Sequence, residues 1–101
     1  MTRYERSPAV AAYVLQRAGG LCELCGKASF LTDSGAVFLE VHHVVRLSDG
    51  GPDTPCNTAA LCATCHRELH YGARRVRLIA SLYARVPELL PVRSLAEPKT
   101  I

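Results

Sequence analysis

The chain has 101 residues, of which 49% are hydrophobic, and its formal net charge is +3. This length fits one domain with a modest core, and this hydrophobic content excludes a chain that is disordered throughout. No apolar run approaches the roughly 20 residues that cross a bilayer, and residues 1–8 lack the apolar segment of a signal peptide. We therefore expect a cytoplasmic protein, in which cysteines bind metal or catalyse reactions more often than they form disulfides.

The first half of the chain predicts one helix and one strand. Ser7 is a candidate N-cap for a helix over residues 8–18, which Gly19 ends. Residues 37–45 are rich in β-branched and aromatic side chains, which favours a strand. Residues 46–55 follow as a loop, because Ser-Asp-Gly-Gly-Pro is the strongest turn signal in the sequence.

The second half predicts a returning segment and two helices. Residues 57–61 suit a short strand or an extended arm, and residues 62–71 suit a helix. A second helical pattern covers residues 73–85, and the tail over 91–101 is expected to be poorly ordered. The apolar face predicted for that second helix consists of Val76, Ile79, Ala80 and Tyr83.

Four of the five cysteines form two Cys-x-x-Cys pairs, and Cys56 is left over as a loop thiol. Four soft thiolates in a tetrahedral array select zinc, so the pairs predict a closed structural zinc site. A redox pair or disulfide and an iron–sulfur site are the alternatives. The predicted zinc ligands are Cys22, Cys25, Cys62 and Cys65.

All four histidines of the chain lie within 29 residues and suggest a second, open metal site. His66 and His70 are four residues apart on a predicted helix, so they share a face and can bind one ion. His42 and His43 are adjacent on a strand and point to opposite faces, so one can bind metal while the other acts as a general base. Alternatively, His66 joins the thiolates and His70 caps its helix.

A basic segment follows the second cysteine pair. It favours an anionic partner, of which nucleic acid is the commonest, although a solvated helix face would give the same pattern. The arginines expected to contact phosphates are Arg67, Arg74, Arg75 and Arg77.

Together these motifs resemble the HNH endonuclease family of ββα-metal nucleases. The matching residues are Leu39-Glu-Val-His-His-Val-Val, then Gly-Gly-Pro-Asp, Asn57, and Leu61-Cys-x-x-Cys-His-Arg-x-x-His70. With Cys22 and the preceding helix, the chain is similar to the nuclease domain of modification-dependent bacterial restriction enzymes. The resemblance implies an α+β fold: one HNH domain over residues 1–90, with its motif core at 20–72, flanking helices and a structural zinc site made of four cysteines.

The resemblance also implies a role for each site residue. His42 and His66 would bind the catalytic metal, and His70 would be a third ligand that varies among relatives. His43 would be the general base, and Asn57 would brace the loop between the strands and so orient His43.

The function implied is metal-dependent hydrolysis of DNA phosphodiester bonds, with contacts mainly to phosphates of double-stranded DNA. The catalytic ion would be Mg²⁺, Mn²⁺, Ni²⁺ or Zn²⁺, beside the structural zinc. A homodimer or a separate DNA-reading domain would complete the enzyme. The alternatives are a non-catalytic zinc module that binds nucleic acid, and an RNA-directed or non-specific nuclease.

Overall fold

The computed structural model describes residues 6–91, where two strands and three helices form an α+β fold, as predicted. None of the helices in this part has the length and apolar character that crossing a bilayer requires. The predicted tail over 91–101 lies, apart from residue 91, outside the described residues. In chain order the elements are α1 (Pro8–Ala18), β1 (Glu40–His43), β2 (Thr58–Leu61), α2 (Ala63–Tyr71) and α3 (Arg75–Arg85).

Helix α1 has the predicted bounds because both of its ends are capped. The Ser7 hydroxyl accepts a hydrogen bond from the Val10 N–H, and Pro8 occupies the first turn. At the other end Gly19 adopts φ 61°, a left-handed conformation that glycine takes at little cost. Val14 is completely buried and anchors the helix, whereas Tyr13 is 48% exposed and donates its hydroxyl hydrogen to Glu88.

Strands β1 and β2 pair antiparallel, with His42 opposite Ala59 and His43 opposite Thr58. The predicted strand over 37–45 is longer than β1, because Val37 forms a separate bridge with Leu31. All four residues of β2 are buried, and α2 follows after Cys62. The β1–β2–α2 unit therefore has the predicted ββα order.

Helix α3 packs on α2, but its buried stripe differs in part from the predicted face. Leu82 is fully buried, with Ile79 and Tyr83 packed around it. Val76 is 76% exposed and Ala80 is also exposed, so these two assignments were wrong. Two overlapping apolar stripes fit the sequence of α3, and packing into the core selected the one that contains Leu82.

A half-buried ion pair connects the two halves of the molecule. Arg17 binds both carboxylate oxygens of Glu23 at 2.8 Å, and its guanidinium also donates to the carbonyls of Thr58 and Pro55 and to Glu88. Such bidentate, charge-assisted bonds have a defined geometry. They hold the first cysteine pair against β2, which precedes the second pair.

Candidate active site and metal centres

Two matching turns bring the four paired cysteines together. In each turn the N–H of the second cysteine donates to the sulfur of the first, from Cys25 to Cys22 and from Cys65 to Cys62, both at 3.5 Å. One sulfur from each of the four residues lies within 4.8 Å of the other three. Tetrahedral zinc, with Zn–S bonds of about 2.3 Å, needs sulfurs about 3.8 Å apart, so this cluster can close around the ion.

The charge requirements of the cluster also fit a divalent cation. Burial raises the pKa of Cys22, but backbone N–H groups outweigh burial and bring the pKa down to about 7. Burial raises the pKa of Cys62 and Cys65, and the nearby Cys22 thiolate adds to this increase. Several thiolates in so small a volume therefore require a positive counter-charge, which zinc provides. Cys56 lies outside the cluster, in the turn before β2.

Three histidines form the second cluster. His42 on β1 faces His66 and His70 on α2, with ring centroids 4.9–5.1 Å apart. One ring nitrogen from each lies within 4.8 Å of the other two, so the three could hold one ion. Burial, followed by the neighbouring imidazoles, lowers the pKa of His42 to about 3. His42 is therefore neutral at physiological pH, the state in which an imidazole binds metal.

Glu40 orients one of these histidines and was not among the predicted site residues. Its Oε1 lies 2.8 Å from Nδ1 of His66, which leaves Nε2 of that ring for an ion. Carboxylates commonly hold metal-binding imidazoles in this way. Period-two alternation was the available signal, because Glu40 and His42 occupy the same face of β1.

His43 lies beside the histidine cluster but has a different partner. Its Nε2 is 2.7 Å from Oδ1 of Asp53, and the other carboxylate oxygen of Asp53 accepts a hydrogen bond from the Ser7 N–H. Burial alone would raise the pKa of Asp53, but the hydrogen bonds from His43 and Ser7 outweigh it, and the pKa is lowered. His43 thus contacts Asp53, whereas His42 faces His66 and His70.

All four histidines line one open cleft of about 370 Å³. Strand β1 ends at His43, so the cleft reaches both strand histidines despite their different neighbours. Arg6, Arg46 and Ser48 also line it. The cleft therefore places the three clustered imidazoles, the fourth imidazole of His43 and cationic side chains next to the same open space.

Asn57 does not line the cleft but lies behind it, completely buried. Its Oδ1 accepts from the Val45 N–H at 3.0 Å, and its Nδ2 donates to the carbonyls of Val45 and Pro52, both at 2.9 Å. The loop between the strands is correspondingly tight at Gly51, where a Cβ atom would lie 1.9 Å from the Val45 oxygen. These contacts fix the loop on both sides of Asp53.

The predicted arginines are distributed unequally around the site. Arg75 lines a second cleft of about 420 Å³, which shares His42, Arg46 and His70 with the first. Arg74 is instead paired with Glu68 at 2.8 Å, and Arg77 lies on the exposed side of α3.

Burial and His66 lower the pKa of His70, and the positive charges of Arg46, Arg67 and Arg75 lower it further. Arg46 was not among the predicted phosphate contacts, because it is isolated from the other arginines in the loop between the strands.

The family model described as HNH endonuclease matches residues 22–72, which is 51 of the 101 residues. This match covers both cysteine pairs, all four histidines and the whole ββα unit. The chain therefore belongs to the HNH endonuclease family, and the resemblance seen in its sequence is confirmed.

The chain is also similar to individual relatives and to solved structures. The chain is 51% identical over 87 residues to the type IV methyl-directed restriction enzyme EcoKMcrA of Escherichia coli (strain K12). It is similar to the structure of the phosphorothioation-dependent restriction endonuclease ScoMcrA, with a TM-score of 0.72 and 42% identity over 81% of the chain. The modification-dependent restriction endonuclease TagI matches with a TM-score of 0.60 and 30% identity over 67% of the chain. Each of these three similar proteins is described as a restriction enzyme.

In each of these comparisons the chain corresponds to a part of a longer protein. It spans 31% of EcoKMcrA, 18% of the ScoMcrA chain and 24% of the TagI chain. The similarity therefore concerns the HNH domain.

Proposed function

We propose that this domain hydrolyses phosphodiester bonds of double-stranded DNA, with His43 as general base and a divalent cation held by His42, His66 and His70. The cleft in which three imidazoles converge beside a fourth carries this proposal. A zinc module that only bound nucleic acid would need the cysteine cluster and would have no use for the second one.

The two ionic centres have separate roles in the proposal. Zinc on Cys22, Cys25, Cys62 and Cys65 would join the turn before β1 to α2, and so hold both sides of the cleft. When bound to the three imidazoles, a divalent cation supplies charge neutralisation for the phosphate and the leaving oxygen. Three nitrogen donors suit Mn²⁺, Ni²⁺ or Zn²⁺, and Mg²⁺ would need water and phosphate oxygens to complete its shell.

The side chains of the protein account for the remaining steps. His43 accepts a proton from a water molecule, which attacks the phosphorus in line with the leaving group. The bond from phosphorus to the 3′ oxygen breaks, leaving a 5′-phosphate and a 3′-hydroxyl that takes its proton from solvent. Asn57 supports this chemistry indirectly, because it fixes the loop that contacts His43 through Asp53.

Arginines around the two clefts would bind the DNA backbone. Arg46 and Arg75 lie beside His70, and Arg67 adds positive charge there. Contacts of this kind position a duplex without reading its sequence.

A second copy of the chain or a separate DNA-reading domain would supply specificity, and two active sites would be needed to cut both strands. The proposed location is the cytoplasm.

A plasmid assay tests this proposal. Purified protein is incubated with supercoiled plasmid and, in parallel, with labelled RNA, each with Mg²⁺, Mn²⁺, Ni²⁺ or Zn²⁺. We expect conversion of the plasmid to nicked or linear forms with at least one of these ions. Cleavage of RNA alone would assign the site to another substrate, and the absence of cleavage with every ion would favour the zinc-module alternative.

A further inference from the structure

We propose that Asp53 is a positioning residue for the reaction, because its carboxylate fixes the tautomer and the orientation of the His43 imidazole. This inference rests on the proposed role of His43 as the base. It adds a residue in the loop between the strands, ten positions beyond His43 in the chain.

Each carboxylate oxygen of Asp53 has a hydrogen-bond partner, and the two contacts together define the orientation of the side chain. Oδ1 lies 2.7 Å from Nε2 of His43, and the second oxygen accepts the N–H of Ser7. Ser7 is the N-cap of α1, and the N-terminus of a helix stabilises a negative charge. The side chains of His43 and Asp53 are only 9% and 19% exposed, so solvent competes weakly for this bond. Asp53 is therefore held as an anion with one oxygen directed at the ring.

This contact determines which nitrogen can act as the base. An ionised carboxylate only accepts hydrogen bonds, so Nε2 must carry the proton. Nδ1 then has a free lone pair and is the nitrogen that can take a proton from water. Once His43 is protonated, the same carboxylate stabilises the imidazolium, as an aspartate does in serine-protease triads.

A purely structural role for Asp53, as a tether between the loop and α1, makes a different prediction. A tether is lost completely in Asp53→Ala but largely kept in Asp53→Asn, whose amide oxygen can still accept the Ser7 N–H. If Asp53 positions His43, Asp53→Asn should lower the cleavage rate more than Asp53→Ala does. The Asn amide would present N–H groups to Nε2, forcing the proton onto Nδ1, whereas Ala would leave both tautomers accessible.

The test combines cleavage kinetics, with whichever of Mg²⁺, Mn²⁺, Ni²⁺ or Zn²⁺ gives the fastest plasmid cleavage, with nitrogen NMR on the zinc-loaded protein without a further ion. We expect the rate at saturating plasmid to fall by ~10²-fold or more in Asp53→Asn and about tenfold in Asp53→Ala, with KM changing less than about threefold. Asp33→Asn removes the same charge from an exposed turn outside both clefts, and it should cleave at the wild-type rate. In the NMR spectrum, wild-type His43 should carry its proton on Nε2, and Asp53→Asn should move it to Nδ1.

The outcomes separate this inference from the proposed function. A wild-type protein that cleaves DNA but has its proton on Nδ1 of His43 would overturn the role of Asp53 alone. Equal or greater loss in Asp53→Ala than in Asp53→Asn would do the same. A wild-type protein that cleaves nothing would overturn the proposed function, and the positioning role would fall with it.

Discussion

Replacing Asn57 by alanine should destabilise the loop between the strands by an amount that its hydrogen bonds determine. Three bonds are lost, and they leave the Val45 N–H and the carbonyls of Val45 and Pro52 without these partners. At about 1 kcal/mol net for each bond, the free energy of unfolding should fall by about 3 kcal/mol. For a domain of this size that corresponds to a drop in Tm of about 12–24 °C. Turnover should also fall, while metal affinity should change little, because Asn57 touches no proposed ligand.

Thermal unfolding followed by circular dichroism, at a fixed excess of zinc, measures this change. Asn57→Asp keeps the acceptor for the Val45 N–H but faces two carbonyl oxygens with a carboxylate, so it should unfold at a lower temperature than Asn57→Ala. Gln16→Ala, on the exposed side of α1, is the control and should alter stability by less than about 0.5 kcal/mol. If Asn57→Ala or Asn57→Asp is as stable as the wild type, Asn57 does not brace the loop.

Three further predictions concern the metal sites and the DNA contacts. Elemental analysis after dialysis should find about one tightly held zinc per chain. Cys22→Ser should lose both zinc and much of its thermal stability, since metal binding and folding are coupled. Unchanged thermal stability of Cys22→Ser would contradict the zinc site. Glu40→Ala should weaken binding of the second divalent ion by ~10–100-fold in calorimetry, because the His66 imidazole loses its hydrogen-bond partner and becomes free to rotate. Unchanged affinity would show that Glu40 does not orient a metal ligand. Arg75→Ala should flatten the dependence of log affinity for DNA on log salt by about 1, whereas Arg74→Ala should change it less, because Glu68 already neutralises Arg74. Equal slopes in the two variants would place the DNA elsewhere.

Local signals in the sequence were sufficient to predict the cysteine cluster, the histidine cluster and most of the fold. A Cys-x-x-Cys pair constrains a short turn, and His66 and His70 are one helical turn apart, so each half of a cluster is defined by its own spacing. The antiparallel return from β1 to β2 then brings the halves together. The capping residues of α1 are equally local, which explains why its bounds were predicted correctly.

The contacts of Glu40 and Asp53 depend on the tertiary path of the chain. The bond from Asp53 to His43 exists because the loop folds back over the end of β1 and meets the start of α1. Spacing of residues along the chain does not specify such a path. Similarly, the orientation of α3 depends on which apolar stripe fits the core beside Leu69, and periodicity alone assigned Val76 incorrectly. The sequence therefore predicted which cysteines and histidines come together, but not the contacts that Glu40 and Asp53 make with the histidines.

The proposed function requires that the histidine cleft hydrolyses DNA with His43 as its base. Single-turnover cleavage of plasmid by wild type and His43→Ala tests it, at saturating DNA and at an ion concentration where calorimetry shows equal metal occupancy. We expect the wild type to cleave and His43→Ala to be slower by ~10²–10⁴-fold, with DNA and metal affinity nearly unchanged. Cleavage by His43→Ala at the wild-type rate would contradict it.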